Sequence, residues 1–452
     1  MEVLISEIAE QVGRSVTLKG WVHNKRQSSK KLLFLQLRDG SGTIQGVVAL
    51  NEIGEAGFDA AAAATLECSC EVDGLVRADN RAPSGFELTV TGFRLVGPSP
   101  DDYPLQPRGK GEEAHGADFL LNHRHLWLRT PRQRAIMRLR DRTVFHLRGF
   151  FDSRGFTLID SPILTANACE GTSTLFEVDY FGRPAYLSQS GQLYVEPACQ
   201  ALRKVYCFGP SFRAEKSFTR KHLTEFWMLE PEVAFQTQDG NLELQEAMLK
   251  YVVEKVLDND AGLIADIHDK RGLDFAADEE SAEEVLARLE RARDEAFVRL
   301  TYDEALEVLK KNGEPLEWGD DFGAPHESAL VRDFDVPVFV ERWPAQAKAF
   351  YMEPDPADER YVLCDDLIAT AGYGELIGGS IRIHDIELLK RRIDEHKLDL
   401  ADFQWYLDVR RYGSVPHGGF GLGLERLVQW LGGVRHIREV IPFPRTIKRL
   451  DP

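Results

Sequence analysis

Short runs of alternating apolar and polar residues fill the first 97 positions of the chain. Glycine-rich turns separate these runs, which include SVTLKGWVHNKR, KLLFLQLRDGSGTIQGVVAL, LECSCEVDGLV and FELTVTGFRLVG. Alternation with a period of two is typical of strands that have one buried face. Short strands joined by such turns predict a small five-stranded β-barrel over residues 1–97.

The apolar pattern changes beyond this barrel. Residues 98–122 are rich in proline, glycine and charge, and they predict a linker. From Arg124 the spacing is helical to about Gly155, and residues of about 240–315 form a second helical segment, which is highly charged. Other segments, such as FTLIDSPILT, VPVFVERWP, YVLCDDLIA and GELIGGSIRIHD, have the pattern of strands. Because strands and helices come in separate runs, residues 123–452 are predicted to form an α+β domain with an antiparallel sheet flanked by helices.

Composition and charge narrow the class of protein. The 452 residues carry a net charge of -18, which argues against a uniformly basic surface that coats nucleic acid. The sequence has no apolar run long enough to span a membrane, and its acidic N-terminus lacks the pattern of a secretory signal. Six cysteines without a CxxC pair predict a reduced, cytoplasmic protein.

The stretch 212–232, FRAEKSFTRKHLTEFWMLEPE, has a charge-rich loop between two apolar, strand-like segments. Arg213 is a planar cation suited to a phosphate, and Glu215, two residues later, faces the same side of the strand. A returning strand would bring Phe226 beside the arginine as a stacking surface. Together these groups fit a nucleoside triphosphate, whereas a surface hairpin held by salt bridges is the alternative interpretation.

Two later segments point to the same kind of ligand. In GFGLGLERLVQW, glycines precede a helix whose first turn carries Arg426, and both features favour the close approach of an anion. In CDDLIATAGYGELIGG, Asp366 and Glu375 are oxygen ligands suited to Mg²⁺ bound to phosphates, although such a DD pair also occurs in ordinary turns. Neither a GxGxxG nor a GK[ST] motif is present, which excludes the commonest nucleotide-binding folds.

Basic and aromatic residues on the predicted barrel suit single-stranded nucleic acid. Lys25 and Arg26 can neutralise phosphates, Phe34 offers a stacking face, and Gln45 offers an amide for a base edge. A phenylalanine in an alternating strand is more often part of the core, so a core position for Phe34 is the alternative.

Together these motifs resemble one known family. FRAE…RKHLTEF resembles motif 2 of the class II aminoacyl-tRNA synthetases, and GFGLGLERL resembles motif 3. The helix of 132–155, with Pro162 beyond it, resembles motif 1, which forms their dimer interface. The barrel phrase GWVHNKRQ…LLFLQLRDGSGTIQGVV resembles the OB-type anticodon-binding domain of the aspartate, asparagine and lysine subgroup. The resemblance covers nearly the whole chain apart from the segment near 240–315.

The resemblance implies a role for each matching position in the ATP site. Arg213 would bind the α-phosphate, Glu215 the amino edge of adenine, and Phe226 would stack on the adenine ring. His222 and Arg426 would meet the γ-phosphate. The catalytic residues would be Arg213, Arg426 and Glu375.

The resemblance also implies a metal site and an anticodon site. Asp366 and Glu375 would hold Mg²⁺, and Asp365 is a rival to Asp366 because the spacing to Glu375 is longer than in relatives. The residues that would contact the anticodon are Arg26, Phe34 and Gln45.

The pocket for the amino acid distinguishes the three substrates of this subgroup. YLSQSGQLYVEPA resembles the aspartate enzymes, except that Val195 replaces the lysine that grips the substrate carboxylate there. Arg382 would remain as the one obvious cation for an anionic side chain. Glu230 would accept from the amide of asparagine and repel aspartate. The amino-acid-binding residues that the resemblance implies are Ser190, Gln192, Glu230 and Arg382.

The resemblance therefore implies a homodimer that activates L-asparagine with ATP and transfers it to the 3′ end of tRNA(Asn). A loop at 171–178 is expected to close over the amino acid through Thr172 and Ser173. One alternative is an aspartate-specific or non-discriminating relative, and another is a non-catalytic tRNA-binding paralogue. An ammonia-dependent asparagine synthetase shares the class II core, but relatives of that kind lack the barrel.

Overall fold

A computed structural model describes residues 1–82, 84–106, 115–167, 169, 174–216, 221–269 and 280–451. The chain divides into two compact units, Met1–Ala114 and His115–Pro452. Within the described ranges, the structure has no helix that is both long enough and apolar enough to cross a membrane.

Five strands form a closed barrel in the N-terminal unit. They are Ser15–Ser29 (β1), Leu32–Arg38 (β2), Thr43–Ala49 (β3), Ser69–Ala78 (β4) and Phe86–Gly97 (β5). Their order around the barrel is β1-β2-β3-β5-β4, which confirms the predicted five-stranded barrel. Alternate side chains such as Leu33, Leu35 and Leu37 fill its core. A helix that was not predicted, Leu50–Ala63 (α1), lies between β3 and β4 along the chain. It packs against β5 and β3.

Two sheets form in the C-terminal unit. Their strands are Thr157–Leu158 (β6), Leu164–Thr165 (β7), Glu177–Tyr180 (β8), Arg183–Leu187 (β9), Lys204–Phe212 (β10), Glu225–Ala234 (β11), Val298–Thr301 (β12), Val338–Pro344 (β13), Pro354–Asp355 (β14), Asp358–Ala369 (β15), Gly374–Arg382 (β16) and His417–Gly423 (β17). The large sheet has the order β12-β13-β15-β16-β17-β11-β10-β6, with β14 paired to β15, and β7-β9-β8 form the small one. The central strands are antiparallel, as predicted. At the two edges β12 and β6 pair in parallel, so the sheet is mixed.

The C-terminal unit also contains the helices that follow α1 in the chain. They are Ala117–Asn122 (α2), Arg124–Trp127 (α3), Pro131–Ser153 (α4), Gln192–Leu202 (α5), Gln238–Asn259 (α6), Ala261–Ile267 (α7), Ala282–Asp294 (α8), Tyr302–Lys311 (α9), Ala324–Leu330 (α10), Ile386–Glu395 (α11), Gln404–Arg411 (α12) and Leu424–Gly432 (α13). Short 3₁₀ helices lie at Ile5–Gln11, Val331–Asp333, Ala345–Ala347, Thr370–Gly372 and Ile437–Glu439.

The charged segment near 240–315 packs as part of this unit. Leu242, Met248 and Leu249 of α6 lie in the same core as Leu229 of the central strand β11. The strand β12 from the end of this segment is an edge strand of the large sheet. The segment therefore contributes both a core helix and a strand to the sheet.

Candidate active site

A polar cleft of about 290 Å³ opens on the large sheet, within the C-terminal unit. Strands β11, β15, β16 and β17 all contribute to its lining. The fold brings together in this cleft side chains that were predicted for phosphate, metal and amino-acid binding: Arg213, Asp366, Glu375, Ser190, Gln192, Glu230 and Arg382.

The predicted pairing of Arg213 with Phe226 is present. The antiparallel register of β10 and β11 sets Ser211 opposite Phe226, and the backbone N–H of Arg213 donates to the Thr224 carbonyl oxygen over 3.0 Å. The guanidinium carbon of Arg213 consequently lies 5.5 Å from the centre of the Phe226 ring. A planar cation beside an aromatic face can bind a phosphate and a base of the same nucleotide.

Glu215 and His222 stand at the two ends of the loop that joins these strands. The Nε2 atom of His222 lies 3.6 Å from the Glu215 carboxylate. Burial, and after it the charge of Arg426, lowers the pKa of His222, although Glu215 acts in the opposite direction. In the part of the chain that the structure describes, neither side chain lines the cleft itself.

Asp366 and Glu375 converge above a glycine. Asp366 of β15 pairs with Gly378 of β16, and a bulge between Leu367 and Ile368 shifts the register beside it. A Cβ atom at Gly378 would lie 3.2 Å from Glu375 Oε1 and 3.5 Å from Asp366 Oδ1. The glycine thus leaves room for two carboxylates to share one space, and such a set of oxygen donors fits Mg²⁺.

Asp365, the rival metal ligand, faces away from this space. Its side chain is fully buried, and Gln238 Nε2 donates to its Oδ1 over 3.0 Å. Burial raises the pKa of Asp365 to about 6. Because side chains alternate along a strand, Asp365 and Asp366 point to opposite faces of the sheet. The geometry therefore favours Asp366 over Asp365 as a residue of the cleft.

Sequence reasoning missed Lys348, which also lines the cleft. Its Nζ donates to Asp366 Oδ2 over 2.7 Å and lies 3.6 Å from Asp321. Burial raises the pKa of Asp366 to about 7, with Lys348 opposing and Glu375 reinforcing that rise. The only signal in the sequence was a lone lysine in the apolar segment AKAFYM.

Arg426 contacts the same region from the first turn of α13. Its Nη1 donates to the Glu375 carbonyl oxygen over 2.7 Å and lies 3.8 Å from Glu375 Oε2. The arginine is therefore tied to the strand that carries Glu375, at the N-terminus of a helix, where an anion is favoured.

Glu230 is a buried carboxylate in the predicted amino-acid pocket. It accepts hydrogen bonds from the Ser190 hydroxyl, from the Gly191 N–H over 2.8 Å and from Cys207 Sγ over 3.3 Å. Burial raises the pKa of Glu230, and these donors oppose the rise. Since a carboxylate has about four acceptor positions, Glu230 can accept a further N–H from a ligand.

Arg382, the predicted cation of the pocket, already has a buried partner. Its Nη2 lies 3.1 Å from Glu232 Oε2, and its Nη1 donates to Ser380 Oγ over 2.7 Å. Burial opposes the charge of Arg382, but the attraction of Glu232 raises its pKa overall. Sequence reasoning missed Glu232. An anionic substrate side chain would therefore compete with a resident carboxylate for this arginine.

Val195, which carried the specificity argument, lies outside the cleft. Val195 is fully buried in a small apolar cluster with Cys199, Val205 and Cys207, and its side chain does not line the cleft formed by the described residues. Thr172 and Ser173, expected in a closing loop, lie outside the described residues.

The predicted anticodon residues share one outer face of the barrel. Phe34 alternates with the buried Leu33 and Leu35, so it is not a core residue. The guanidinium of Arg26 lies 5.1 Å from the centre of its ring. Gln45 stands opposite Gln36, which is on the same face of β2 as Phe34.

Lys25, predicted to meet phosphates, has partners inside the barrel unit. Its Nζ donates to the carbonyl oxygens of Ala62 and Ala64 over 2.8 and 2.6 Å. The lysine therefore caps the end of α1.

Comparison with known proteins identifies the family of each of the two units. A family model described as tRNA synthetases class II (D, K and N) matches residues 116–447, and one described as an OB-fold nucleic acid binding domain matches residues 16–96. An asparagine–tRNA ligase from Chloroflexus aurantiacus is 50% identical over 455 residues, covering 99% of this chain and 98% of the relative. One from Thermus thermophilus is 50% identical over 459 residues, covering 100% of both chains.

A solved structure supports the same relationship. The crystal structure of asparaginyl-tRNA synthetase from Pyrococcus horikoshii complexed with asparaginyl-adenylate superposes with a TM-score of 0.92 at 42% identity, covering 100% of both chains. The chain therefore belongs to the asparagine–tRNA ligase family of the class II tRNA synthetases.

Proposed function

We propose that the cleft activates L-asparagine with ATP and that the enzyme then esterifies tRNA(Asn). In the first step the α-carboxylate of asparagine attacks the α-phosphorus of ATP, and pyrophosphate leaves. In the second step the terminal ribose 3′-OH of the tRNA attacks the acyl carbon, and AMP leaves. The observation that carries the proposal is the convergence of Arg213, Asp366, Glu375 and Glu230 in one cleft.

In this proposal the ATP site is built by motifs 2 and 3. Phe226 stacks on adenine, and Arg213 beside it binds the α-phosphate, where negative charge develops during attack. Glu215 accepts from the adenine amino group. Arg426 and His222 bind the γ-phosphate end. Catalysis then depends on positioning and charge stabilisation, with no side chain acting as a covalent nucleophile.

The carboxylates above Gly378 are proposed to hold Mg²⁺. Asp366 and Glu375 supply the oxygen ligands, and Arg426 fixes the strand segment of Glu375. When bound, Mg²⁺ neutralises charge on the phosphates of ATP.

The amino-acid pocket is proposed to select asparagine through Glu230 and Arg382. Glu230 accepts from the side-chain NH₂ of asparagine, while Ser190 and Gln192 contribute further polar groups to the same pocket. Glu232, the buried partner of Arg382, disfavours the binding of a second anion at this arginine. The binding of aspartate is therefore disfavoured in two ways, by repulsion from Glu230 and by competition with Glu232 for Arg382.

The barrel is proposed to bind the anticodon of tRNA(Asn) through Arg26, Phe34 and Gln45. Their shared outer face joins a cation, an aromatic ring and an amide, which together suit single-stranded RNA. Phe34→Leu should raise the KM for tRNA by about 10-fold, because it removes one stacking contact. The rate of ATP–pyrophosphate exchange without tRNA should stay unchanged.

We further propose a cytoplasmic homodimer that associates through α4. The resemblance of this helix to motif 1 supports the dimer, and so does Phe145, which is 62% exposed on α4. The six cysteines, all free thiols, agree with a reducing compartment. Sedimentation of a Phe145→Glu variant should give the monomer.

ATP–pyrophosphate exchange with Mg²⁺ tests the central proposal, with asparagine and aspartate measured side by side. The proposal expects exchange with asparagine alone, and a loss of at least about 100-fold in kcat/KM for Arg213→Ala. Arg299→Ala removes a partly exposed arginine at the sheet edge, outside the cleft, and serves as the matched control. Equal exchange with aspartate would indicate a non-discriminating relative, and no exchange would indicate a non-catalytic paralogue.

A further inference from the structure

A buried carboxylate, Glu196, lies one helical turn behind the amino-acid pocket. Gln192 and Glu196 are four residues apart on α5, so they share one face of the helix. Gln192 lines the cleft, and its Nε2 donates to Glu196 Oε1 over 3.0 Å. Glu196 itself is fully buried and does not reach the cleft.

Three other polar side chains contact Glu196. The Tyr406 hydroxyl lies 2.7 Å from both carboxylate oxygens, Arg410 Nη2 lies 2.6 Å from Oε2, and His417 Nε2 lies 3.0 Å from Oε2. All three side chains are buried. Burial alone would raise the pKa of Glu196, but Arg410 and His417 lower it overall. Glu196 is therefore an ionised group, which can only accept hydrogen bonds.

The ionised state of Glu196 determines the orientation of the Gln192 amide. A side-chain amide has an NH₂ donor at one end and an oxygen acceptor at the other. Because the ionised Glu196 can only accept, the NH₂ group must face it, and Oε1 then points away from Glu196. Among the described residues, none donates to Gln192 Oε1. Because Gln192 lines the cleft, its Oε1 is the acceptor that this side chain can offer there.

We propose that Glu196 is a positioning residue, which holds the Gln192 oxygen toward the cleft so that it accepts an N–H of the amino-acid substrate. The inference rests on the proposed function for the identity of that substrate. Asparagine has two such donors, its α-ammonium and its side-chain NH₂. Without the anion at residue 196 the amide of Gln192 is free to turn and present its NH₂ group instead.

A double-mutant cycle in the full-length enzyme tests this role. Gln192→Met removes the amide, and Glu196→Gln removes the anion that orients it. Each variant should raise the KM for asparagine in ATP–pyrophosphate exchange by roughly 10-fold, the effect of about one hydrogen bond to a charged group. The KM for ATP should not change. The double variant should be no worse than Gln192→Met alone, because Glu196 acts only through Gln192.

A matched control and a second variant separate positioning from folding. Glu439→Gln alters a similar buried cluster outside the cleft, where Gln133 Nε2 donates to Glu439 Oε2 over 3.0 Å and Arg132 Nε lies 3.1 Å from the same oxygen. It should lower the melting temperature and leave the KM for asparagine unchanged. Glu196→Asp keeps the charge beside Arg410 but shortens the side chain by one methylene, so it should also raise the KM for asparagine.

The outcomes distinguish this inference from the proposed function. If the wild-type enzyme exchanges pyrophosphate with asparagine but the two effects multiply in the double variant, Glu196 is merely structural and the inference is wrong. A parallel rise in the KM for ATP has the same meaning. If the wild type shows no exchange with asparagine, the proposed function fails and the inference fails with it.

A substrate analogue identifies the N–H that Gln192 receives. Succinamic acid retains the side-chain amide of asparagine and lacks the α-ammonium. If its inhibition constant is the same for the wild type and for Gln192→Met, the acceptor receives the ammonium. If the constant rises about 10-fold in the variant, the acceptor receives the side-chain NH₂.

Discussion

The ammonium group of Lys348 donates to Asp366 Oδ2 over 2.7 Å in the same cleft that Glu375 lines. Burial raises the pKa of Asp366 to about 7, and the lysine prevents a further rise. A carboxyl group binds a divalent cation only in its ionised form. Lys348 thus keeps a buried carboxylate ionised close to neutral pH.

The first prediction concerns Lys348→Met. Loss of the ammonium raises the pKa of Asp366 above about 7, so at pH 7 the carboxyl is mostly protonated in the absence of metal. The concentration of Mg²⁺ that gives half-maximal ATP–pyrophosphate exchange should rise several-fold at pH 7, and the rise should be smaller at pH 8.5.

Lys311→Met is the control for this experiment, since Lys311 forms an exposed ion pair with Asp333 outside the cleft. A fall in the Mg²⁺ requirement of Lys348→Met would contradict the prediction. It would mean that the ammonium competes with the cation and does not prepare its ligand.

The second prediction concerns the choice between asparagine and aspartate. Glu230→Gln removes a negative charge from the pocket while keeping the length of the side chain, and its new NH₂ group can donate to a substrate carboxylate. The ratio of kcat/KM for asparagine to that for aspartate should fall by at least about 10-fold. Exchange assays with both amino acids measure this ratio. An unchanged ratio would mean that Arg382 and its partner Glu232, and not Glu230, discriminate between asparagine and aspartate.

Local sequence patterns were enough to predict the barrel, the central antiparallel strands and the motif 2 hairpin. Leu33, Leu35 and Leu37 alternate strictly, and the same period puts Phe34 on the outer face. The helix α1 was not predicted because LNEIGEAGFDAAAA lies among strands and has a positive φ at Gly54 that breaks its helical geometry.

Partners that come from distant parts of the chain could not be predicted in this way. Glu232 neutralises Arg382 across 150 positions, and Lys348, which follows β13 along the chain, contacts Asp366 of the neighbouring strand β15. Neither contact leaves a local pattern, because each depends on the register between strands. Val195 shows the converse: its motif is informative, yet the side chain belongs to an apolar cluster behind the pocket.

The third prediction concerns the stability of the barrel. Burial opposes the ionisation of Glu67, but contacts with His23 and Arg38 lower its pKa from 4.5 to about 2. Such a depressed pKa adds stability that is fully present above the unfolded pKa and is lost as the pH falls through the folded pKa. If the whole pKa shift of Glu67 is converted into free energy of unfolding, it gives at most about 3 kcal/mol, and solvent screening reduces this to about 1–2 kcal/mol.

Glu67→Gln should therefore lower the free energy of unfolding of the barrel by about 1–2 kcal/mol at pH 7. The difference from the wild type should shrink as the pH falls from about 4.5 to about 2. Hydrogen exchange of peptides from residues 15–49 in guanidinium measures this difference in the full chain. Glu71→Gln breaks an ion pair with Arg94 that is more exposed, so it should cost less than about 1 kcal/mol. Equal losses in the two variants would contradict the assignment.

The fourth prediction concerns Glu425, which joins the three sequence motifs. Its Oε2 accepts from the Trp227 N–H over 3.0 Å, its Oε1 lies 2.8 Å from Arg140 Nη1 of α4 in an ion pair, and it directly precedes Arg426. Burial raises the pKa of Glu425, and Arg140 opposes that rise. Arg140→Met leaves the carboxyl buried without its cation, which typically costs about 3 kcal/mol. We expect a lower melting temperature and a higher KM for ATP, because both the motif 2 strand and Arg426 lose their support.

Adding Glu425→Gln to Arg140→Met should restore much of this stability. The amide keeps an acceptor for the Trp227 N–H and removes the unpaired charge, and a buried pair replaced by neutral groups is often close to neutral in stability. Calorimetry of the single and double variants measures the recovery, and exchange kinetics measure the KM for ATP. If the double variant melts at or below the temperature of Arg140→Met, then packing by the arginine stem, and not its charge, connects α4 to the ATP site.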